Sequence, residues 1–228
     1  MVAFIVYRSK VLFFSISSMN STSQFGQDTH VLHTIYKSKL TGYFVEIGAY
    51  NGIESSNTYI LEQLGWNGVC VECNPKFYNE LIKNRNSKNF PYAVYTTDGD
   101  TMDFYDSGGY AGLVKTNNHA HIINDPIIKV QTKTLPSILK EANAPNFIEY
   151  LSLDTEGSEF DILSTHDFET YKFGYICVEH NRVEPNRSNI RRLLESKGYR
   201  HYRENGNTQW GVIDDEYILV NIDQYLKN

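Results

Sequence analysis

Three short stretches hold residues whose types and spacing could do chemistry together. Phe44-Val45-Glu46-Ile47-Gly48-Ala49-Tyr50-Asn51-Gly52 is an apolar run that ends in an acid and enters a glycine-bearing turn. Gly48 and Gly52 would let backbone approach a ligand closely, with Ala49 and Tyr50 between them, and Glu46 can meet a cationic group. Further on, Val69-Cys70-Val71-Glu72 ends in a second acid, placed to accept both hydroxyls of a ribose, with Cys73 beside it. The spacing acid-x-Gly-x-x-x-Gly differs from the GxGxxG that cradles a pyrophosphate, and no Walker-type lysine follows. It favours a nucleoside without phosphates, with a dinucleotide as the main competitor. S-adenosylmethionine (SAM) fits, because its sulfonium and amino groups are positive and it carries no pyrophosphate.

The third stretch is Leu151-Ser152-Leu153-Asp154-Thr155-Glu156-Gly157-Ser158-Glu159, followed at a distance by Glu179-His180-Asn181. Asp154 could simply cap the next helix, with the glutamates in its positively polarised first turn. Three carboxylates around a glycine are more than one cap requires, so Asp154 and Glu156 are also candidate catalytic residues. Hard oxygen ligands from two neighbouring strand ends can hold a divalent cation, magnesium or manganese, and Asp154, Glu179 and His180 are the candidate ligands. His180 could instead be a metal-free general base or a structural hydrogen-bonding histidine.

These groups need a scaffold that brings strand ends together. From Gly42 onward β-rich runs alternate with helix-period segments, which is the pattern of βαβ units in a doubly wound α/β sheet. Tyr43–Ile47, Gly68–Glu72, Phe90–Tyr95, Ile148–Asp154 and Tyr175–Glu179 read as strands. Residues 55–64 and 134–142 read as helices, Asn74 and Pro75 as a helix start, and Gly198 as a helix stop. Residues 96–133 have no single period and are expected to form short strands and loops over one end of the sheet. Tyr199–Glu204 and Tyr217–Ile222 read as an antiparallel pair at the sheet's C-terminal edge. The loop from Asn205 to Asp215 would then reach the catalytic edge and offer Asn207, Gln209 and Trp210 to an acceptor, unless Trp210 merely anchors the loop.

At 228 residues, one domain is the default. Residues 19–228 are assigned to it and residues 1–18 to an N-terminal extension. The apolar runs of that extension are broken by Arg8, Ser9 and Lys10, so neither is long enough for a membrane span. A signal peptide, a docking segment or a disordered start are the alternatives there, and Met19 is an alternative first residue. A net charge of −6 argues against a nucleic-acid partner. Cys70, Cys73 and Cys177 fall in or beside apolar strands and read as free thiols of a reducing compartment, which suggests a cytoplasmic protein. The 17 tyrosines suit a carbohydrate surface or a protein interface, so a homodimer is compatible with the composition.

The blocks FVEIGAYNG, VCVECNP, LSLDTEGSE and ICVEHN, preceded by SQFGQD at Ser23–Asp28, resemble the FkbM family of SAM-dependent O-methyltransferases over about residues 23–220. That resemblance implies a Rossmann-like methyltransferase sheet, SAM as donor, Gln24 among the cofactor residues, and a sugar or polyketide hydroxyl as acceptor. Such a hydroxyl is a very weak acid, and either a cation or a histidine base would help to remove its proton. Two other readings compete. An NAD-dependent dehydrogenase or epimerase is disfavoured by glycines four apart and by the lack of a clear Tyr-x-x-x-Lys dyad. A non-catalytic nucleoside-binding module is disfavoured by the carboxylates gathered at the strand ends.

Overall fold

A computed structural model of the chain describes residues 20–226 apart from 118, 208, 210 and 211, together with the backbone of 2–7 and 10–15. Met19 and Trp210 lie outside the described residues. The strands are β1 (Val2–Tyr7), β2 (Lys10–Ser15), β3 (Tyr43–Ile47), β4 (Asn67–Val71), β5 (Lys88–Phe90) and β6 (Ala93–Val94). They continue with β7 (Thr101–Tyr105), β8 (Ile127–Lys133), β9 (Phe147–Leu153), β10 (Lys172–Glu179), β11 (Tyr199–Asn207) and β12 (Val212–Leu219). The helices are α1 (Gln27–His30, continued by a π-turn Val31–Ile35), α2 (Tyr59–Gln63), α3 (Pro75–Asn84), α4 (Leu135–Glu141), α5 (Glu159–Ser164) and α6 (Asn186–Ser196).

Seven strands form the main sheet in the order β11-β12-β10-β9-β3-β4-β5. β5, β4, β3, β9 and β10 run parallel, while β12 is antiparallel to both β10 and β11, so an antiparallel pair closes one edge. β3, β4, β9 and β10 are buried along nearly their whole length, as strands of a parallel sheet covered on both faces are. This is why they read as unbroken apolar runs rather than alternating ones. The chain order reverses between β3 and β9, the place in such a sheet where ligands bind beyond the carboxyl ends of the strands. β1 and β2 pair antiparallel in a sheet of their own.

Several sequence expectations are redrawn. Phe90–Tyr95 is two strands, not one, because Pro91 has no N–H for a ladder: β5 joins the main sheet, and β6 joins β8 and β7 in a small one. The helix expected over 55–64 begins only at Tyr59, because Ser56, Asn57 and Thr58 turn their hydrogen-bond donors to Glu46. The loop expected from Asn205 to Asp215 is a short turn, since Asn205 and Asn207 belong to β11 and Asp214 and Asp215 to β12. Asn74 caps α3 as the sequence indicates, accepting from the Lys76 N–H at 3.0 Å with Pro75 in the first turn.

Gly48 marks the closest approach in the crevice. Its φ is +81°, and a Cβ there would lie 1.8 Å from the Asp154 carbonyl oxygen. The glycine therefore lets the end of β9 pass against the turn after β3, rather than making room for a ligand alone. Gly48→Ala should lower unfolding free energy by more than about 2 kcal/mol in urea titrations. Gly99→Ala, with φ +82° and nothing within 4 Å of the added carbon, is the control. It should cost only about 1 kcal/mol, the conformational share alone.

Candidate active site

A cleft of about 270 Å³ opens at the carboxyl ends of β3, β4, β9 and β10. Of the residues singled out in the sequence, Gln24, Glu46, Gly48, Ala49, Tyr50, Glu72, Cys73, Asp154, Glu156 and Glu179 line it. Gly52 does not. A Cβ at that position would meet Leu81 Cδ1 at 2.6 Å and Arg85 Cγ at 2.7 Å, so the glycine seats the turn on α3 instead of facing a ligand.

The segment before α1 reaches the cleft because Asp28 gathers it. The Asp28 carboxylate accepts from Ser21 Oγ at 2.6 Å, the Thr22 N–H at 2.9 Å and Ser23 Oγ at 2.8 Å, and Thr22 Oγ1 donates to the Ser56 carbonyl at 2.9 Å. Gln24 is carried to the cleft wall between these anchors. Next to it, Gln27 Nε2 donates to Asp214 Oδ2 at 2.8 Å.

Glu46 does meet a cation, but one supplied by the protein. Its carboxylate accepts from Arg85 Nη1 at 3.1 Å, the Asn57 N–H at 2.7 Å, Thr58 Oγ1 at 2.7 Å and Ser56 Oγ at 2.9 Å. Its hydrogen-bonding capacity is spent on the loop before α2.

Glu72 is held by two backbone donors, the Tyr50 N–H at 3.0 Å and the Asn74 N–H at 2.7 Å. One lies in the turn after β3 and the other at the cap of α3, so the carboxylate bridges two strand ends and its remaining lone pairs face the cleft. Burial outweighs these donors and pushes its pKa up to about 7. Beside it, the Tyr50 and Phe77 rings lie 4.0 Å apart and supply apolar wall.

Asp154, Glu156 and Glu179 bring carboxylate oxygens within 4.8 Å of one another. Burial first, then the charge of the neighbouring carboxylates, pushes Asp154 and Glu179 well above the ordinary carboxylate range. His180 is not part of this group. Successive residues of a strand face opposite ways, so Glu179 turns to the cleft while His180 turns away. Its Nδ1 accepts from the Arg182 N–H at 2.9 Å and its Nε2 lies 3.5 Å from Asp215 Oδ1. Of the three expected ligands, His180 therefore stands apart from Asp154 and Glu179, and the carboxylates that could hold a cation together are Asp154, Glu156 and Glu179. Glu159 serves the fold, with Oε1 accepting from the Thr155 N–H at 2.8 Å and Thr155 Oγ1 at 2.9 Å.

The histidine that reaches the carboxylates is His119, which nothing in the sequence singles out. Its Nε2 lies 2.6 Å from Glu156 Oε2, and that hydrogen bond raises its pKa. His119 comes from the aperiodic segment 96–133, which also contributes Phe104, Gly108, Gly109, Ala111 and Leu113 to the cleft. A second cleft, about 310 Å³, lies beyond Glu156 and Glu179 and includes Tyr110, His119, His121 and His180. Asn207, at the end of β11, and Gln209 line neither cleft.

The family model described as a methyltransferase FkbM domain matches residues 46–201, from Glu46 in β3 to His201 near the start of β11. The chain belongs to the FkbM methyltransferase family. That makes it a SAM-dependent methyltransferase domain by family. No curated protein sequence matches it. Among solved structures, a protein of the NADB-Rossmann superfamily from Streptococcus agalactiae is similar at a TM-score of 0.50 and 12% identity, over 89% of this chain and 71% of that one. M. capricolum TrmK, in complex with S-adenosyl-homocysteine, is similar at 0.48 and 13% over 87% and 70%. A SAM-dependent methyltransferase from Aquifex aeolicus is similar at 0.42 and 11% over 86% and 92%. At such identities the likeness is one of fold.

The residues of this FkbM domain fit a cationic nucleoside. Asn57 Nδ2 donates to Ser152 Oγ at 2.9 Å, which leaves Asn57 Oδ1 buried in the cleft wall as an acceptor without a partner, suited to an ammonium group. Carboxylates line the cleft, and no Lys or Arg does among the described residues. A pyrophosphate would find no counter-charge there. Asn57 was missed in the sequence because it reads as one more residue of a helix.

Glu72 makes a prediction about pH. Its folded value of about 7 lies above its ordinary 4.5, so the folded state holds the extra proton between the two. The group's contribution to stability is therefore fully present below about pH 4.5 and falls as pH rises toward 7, by roughly 3 kcal/mol. Glu72→Gln should remove that fall, so the difference in unfolding free energy between variant and parent should shift in the variant's favour from pH 5 to pH 8. A difference that stays flat across urea titrations at those pH values would contradict it.

Proposed function

We propose that this domain moves the methyl group of SAM to a hydroxyl of a sugar or glycan, with a divalent cation assisting. The observation that carries the reading is the buried set Asp154, Glu156 and Glu179, standing where two neighbouring strand ends meet the cofactor cleft. When bound, SAM supplies a methyl carbon made electrophilic by its sulfonium. Glu72 accepts from ribose hydroxyls with the lone pairs that Tyr50 and Asn74 leave over, and Asn57 Oδ1 accepts from the amino group. Tyr50 and Phe77 exclude water from the apolar side of the nucleoside. The acceptor hydroxyl has to lose its proton as the new O–C bond forms, and the three carboxylates are the groups placed to manage that charge. Magnesium or manganese suits their hard oxygen donors and would make the hydroxyl more acidic. A reducing compartment such as the cytoplasm suits the free thiols at Cys70, Cys73 and Cys177. Among the described residues no helix is long and apolar enough to cross a membrane.

Calorimetry with SAM tests the cofactor half. Glu72→Ala should weaken binding by about 10- to 100-fold, the loss of a charge-assisted bidentate contact. Unchanged affinity removes the ribose assignment.

The acceptor half is tested with labelled SAM and a panel of unmethylated glycans. Chelation with EDTA should abolish transfer, magnesium or manganese should restore it, and Asp154→Asn should weaken metal binding more than SAM binding. Turnover that survives chelation overturns the cation and leaves the His119–Glu156 pair as proton acceptor.

A further inference from the structure

The second cleft shares Glu156 and Glu179 with the cofactor cleft, so the two open onto opposite sides of the same carboxylates. One short turn borders both: Gly108 and Gly109 line the cofactor cleft and Tyr110 lines the second. A molecule seated in the second cleft would end where a methyl group is delivered. Its volume of about 310 Å³ lies at the lower end of small-molecule sites, which run from about 300 to 1,000 Å³.

The lining states what kind of molecule fits. Tyr110 is 45% exposed, yet its ring is held, with His119 edge-on at 5.2 Å and His121 edge-on at 4.8 Å. An oriented ring with open surface is a platform for the C–H face of a flat, partly apolar molecule. Around it stand imidazoles and the amides of Asn181 and Asn186, groups that exchange hydrogen bonds with hydroxyls. His180 belongs to this wall, with its Nε2 toward Asp215 at 3.5 Å. No Lys or Arg lines the cleft among the described residues, whereas Glu156, Glu159 and Glu179 do. A phosphate or carboxylate entering here would meet no guanidinium or ammonium group to pair with among the described residues.

We propose that this second cleft is the acceptor subsite and that it selects a neutral pyranose ring, stacked on Tyr110, over a phosphate-bearing acceptor. The inference rests on the methyltransferase reading for its purpose, but binding can be measured without turnover. Two-dimensional NMR of the full chain, with SAM present and its histidine rings labelled, reads the cleft directly through His119 and His121. A panel of methyl pyranosides (gluco, galacto, manno, rhamno and fuco) should shift these signals in at least one case, and uridine 5′-monophosphate should not. Tyr110→Ala should weaken the binding of the responding sugar about tenfold, and Tyr110→Trp should retain it, with SAM affinity by calorimetry unchanged in both. Shifts with the nucleotide and none with any sugar would overturn the proposal. So would a Tyr110→Ala protein that binds the sugar as well as the parent does. Should Tyr110→Ala fail to fold, the signals of the parent protein decide between sugar and nucleotide on their own. A parent protein that shows the sugar shifts but binds no SAM keeps the subsite and overturns the methyltransferase reading instead.

Discussion

The turn after β3 is held by one buried ion pair, and both sides of the cofactor cleft depend on it. Arg85, at the end of α3, has a side chain fully removed from solvent, with Nη1 at 3.1 Å from Glu46 and Nε at 2.7 Å from Glu62. The same guanidinium donates to the Gly52 carbonyl at 3.0 Å and to Thr58 Oγ1 at 2.8 Å, and it lies over the Phe44 ring at 5.2 Å. A buried charge is tolerated only when its donors and acceptors are all engaged, and here two carboxylates, a carbonyl and hydroxyls do so. Taking away Arg85 would leave the Glu46 and Glu62 carboxylates without a counter-charge, at a cost of about 3–5 kcal/mol. The geometry of the loop 52–58, including the Asn57 acceptor, follows from this pair.

Beyond it, the cleft gathers more negative charge than it neutralises. Glu46 is answered by Arg85, and at the other end of the sheet Asp215 is answered by Arg187 and His201 and Glu216 by Arg203. Asp154 and Glu179 have no such partner in the cleft wall, and their pKa values rise accordingly. The fold thus separates carboxylates that hold it together from carboxylates kept under strain beside the cofactor. The second kind lowers stability wherever it is ionised.

The segment 93–133 supplies what the sheet cannot. Its small core of Ala93, Tyr95, Phe104, Leu113 and Val130 fixes β6, β7 and β8 over the open end of the crevice. That placement brings Gly108 and Gly109 to one cleft and Tyr110, His119 and His121 to the other. The segment therefore borders both clefts, with Phe104, Ala111 and Leu113 also on the wall of the first.

The sequence by itself determined the parallel sheet and most of the cofactor cleft. β3, β4, β9 and β10 are apolar runs buried on both faces, and in such a sheet the residues just past each strand must stand on one edge. Glu46, Glu72, Asp154 and Glu179 were therefore legible as neighbours from local pattern alone. The tertiary structure decided whatever depends on direction or on distant partners. Glu46 could be a ligand or a clamp, and only the arrival of Arg85 from another helix made it a clamp. β12 is hard to see in sequence because Asp214, Asp215 and Glu216 sit inside it, and each acid is made tolerable by a partner remote in the chain: Gln27, Arg187 or Arg203. His180 and His119 exchanged places for the same reason. Adjacency to Glu179 suggested that His180 would join the carboxylates, but strand alternation turned it away. His119 came to Glu156 from a segment with no periodicity, whose path is set by packing and not by any pattern along the chain.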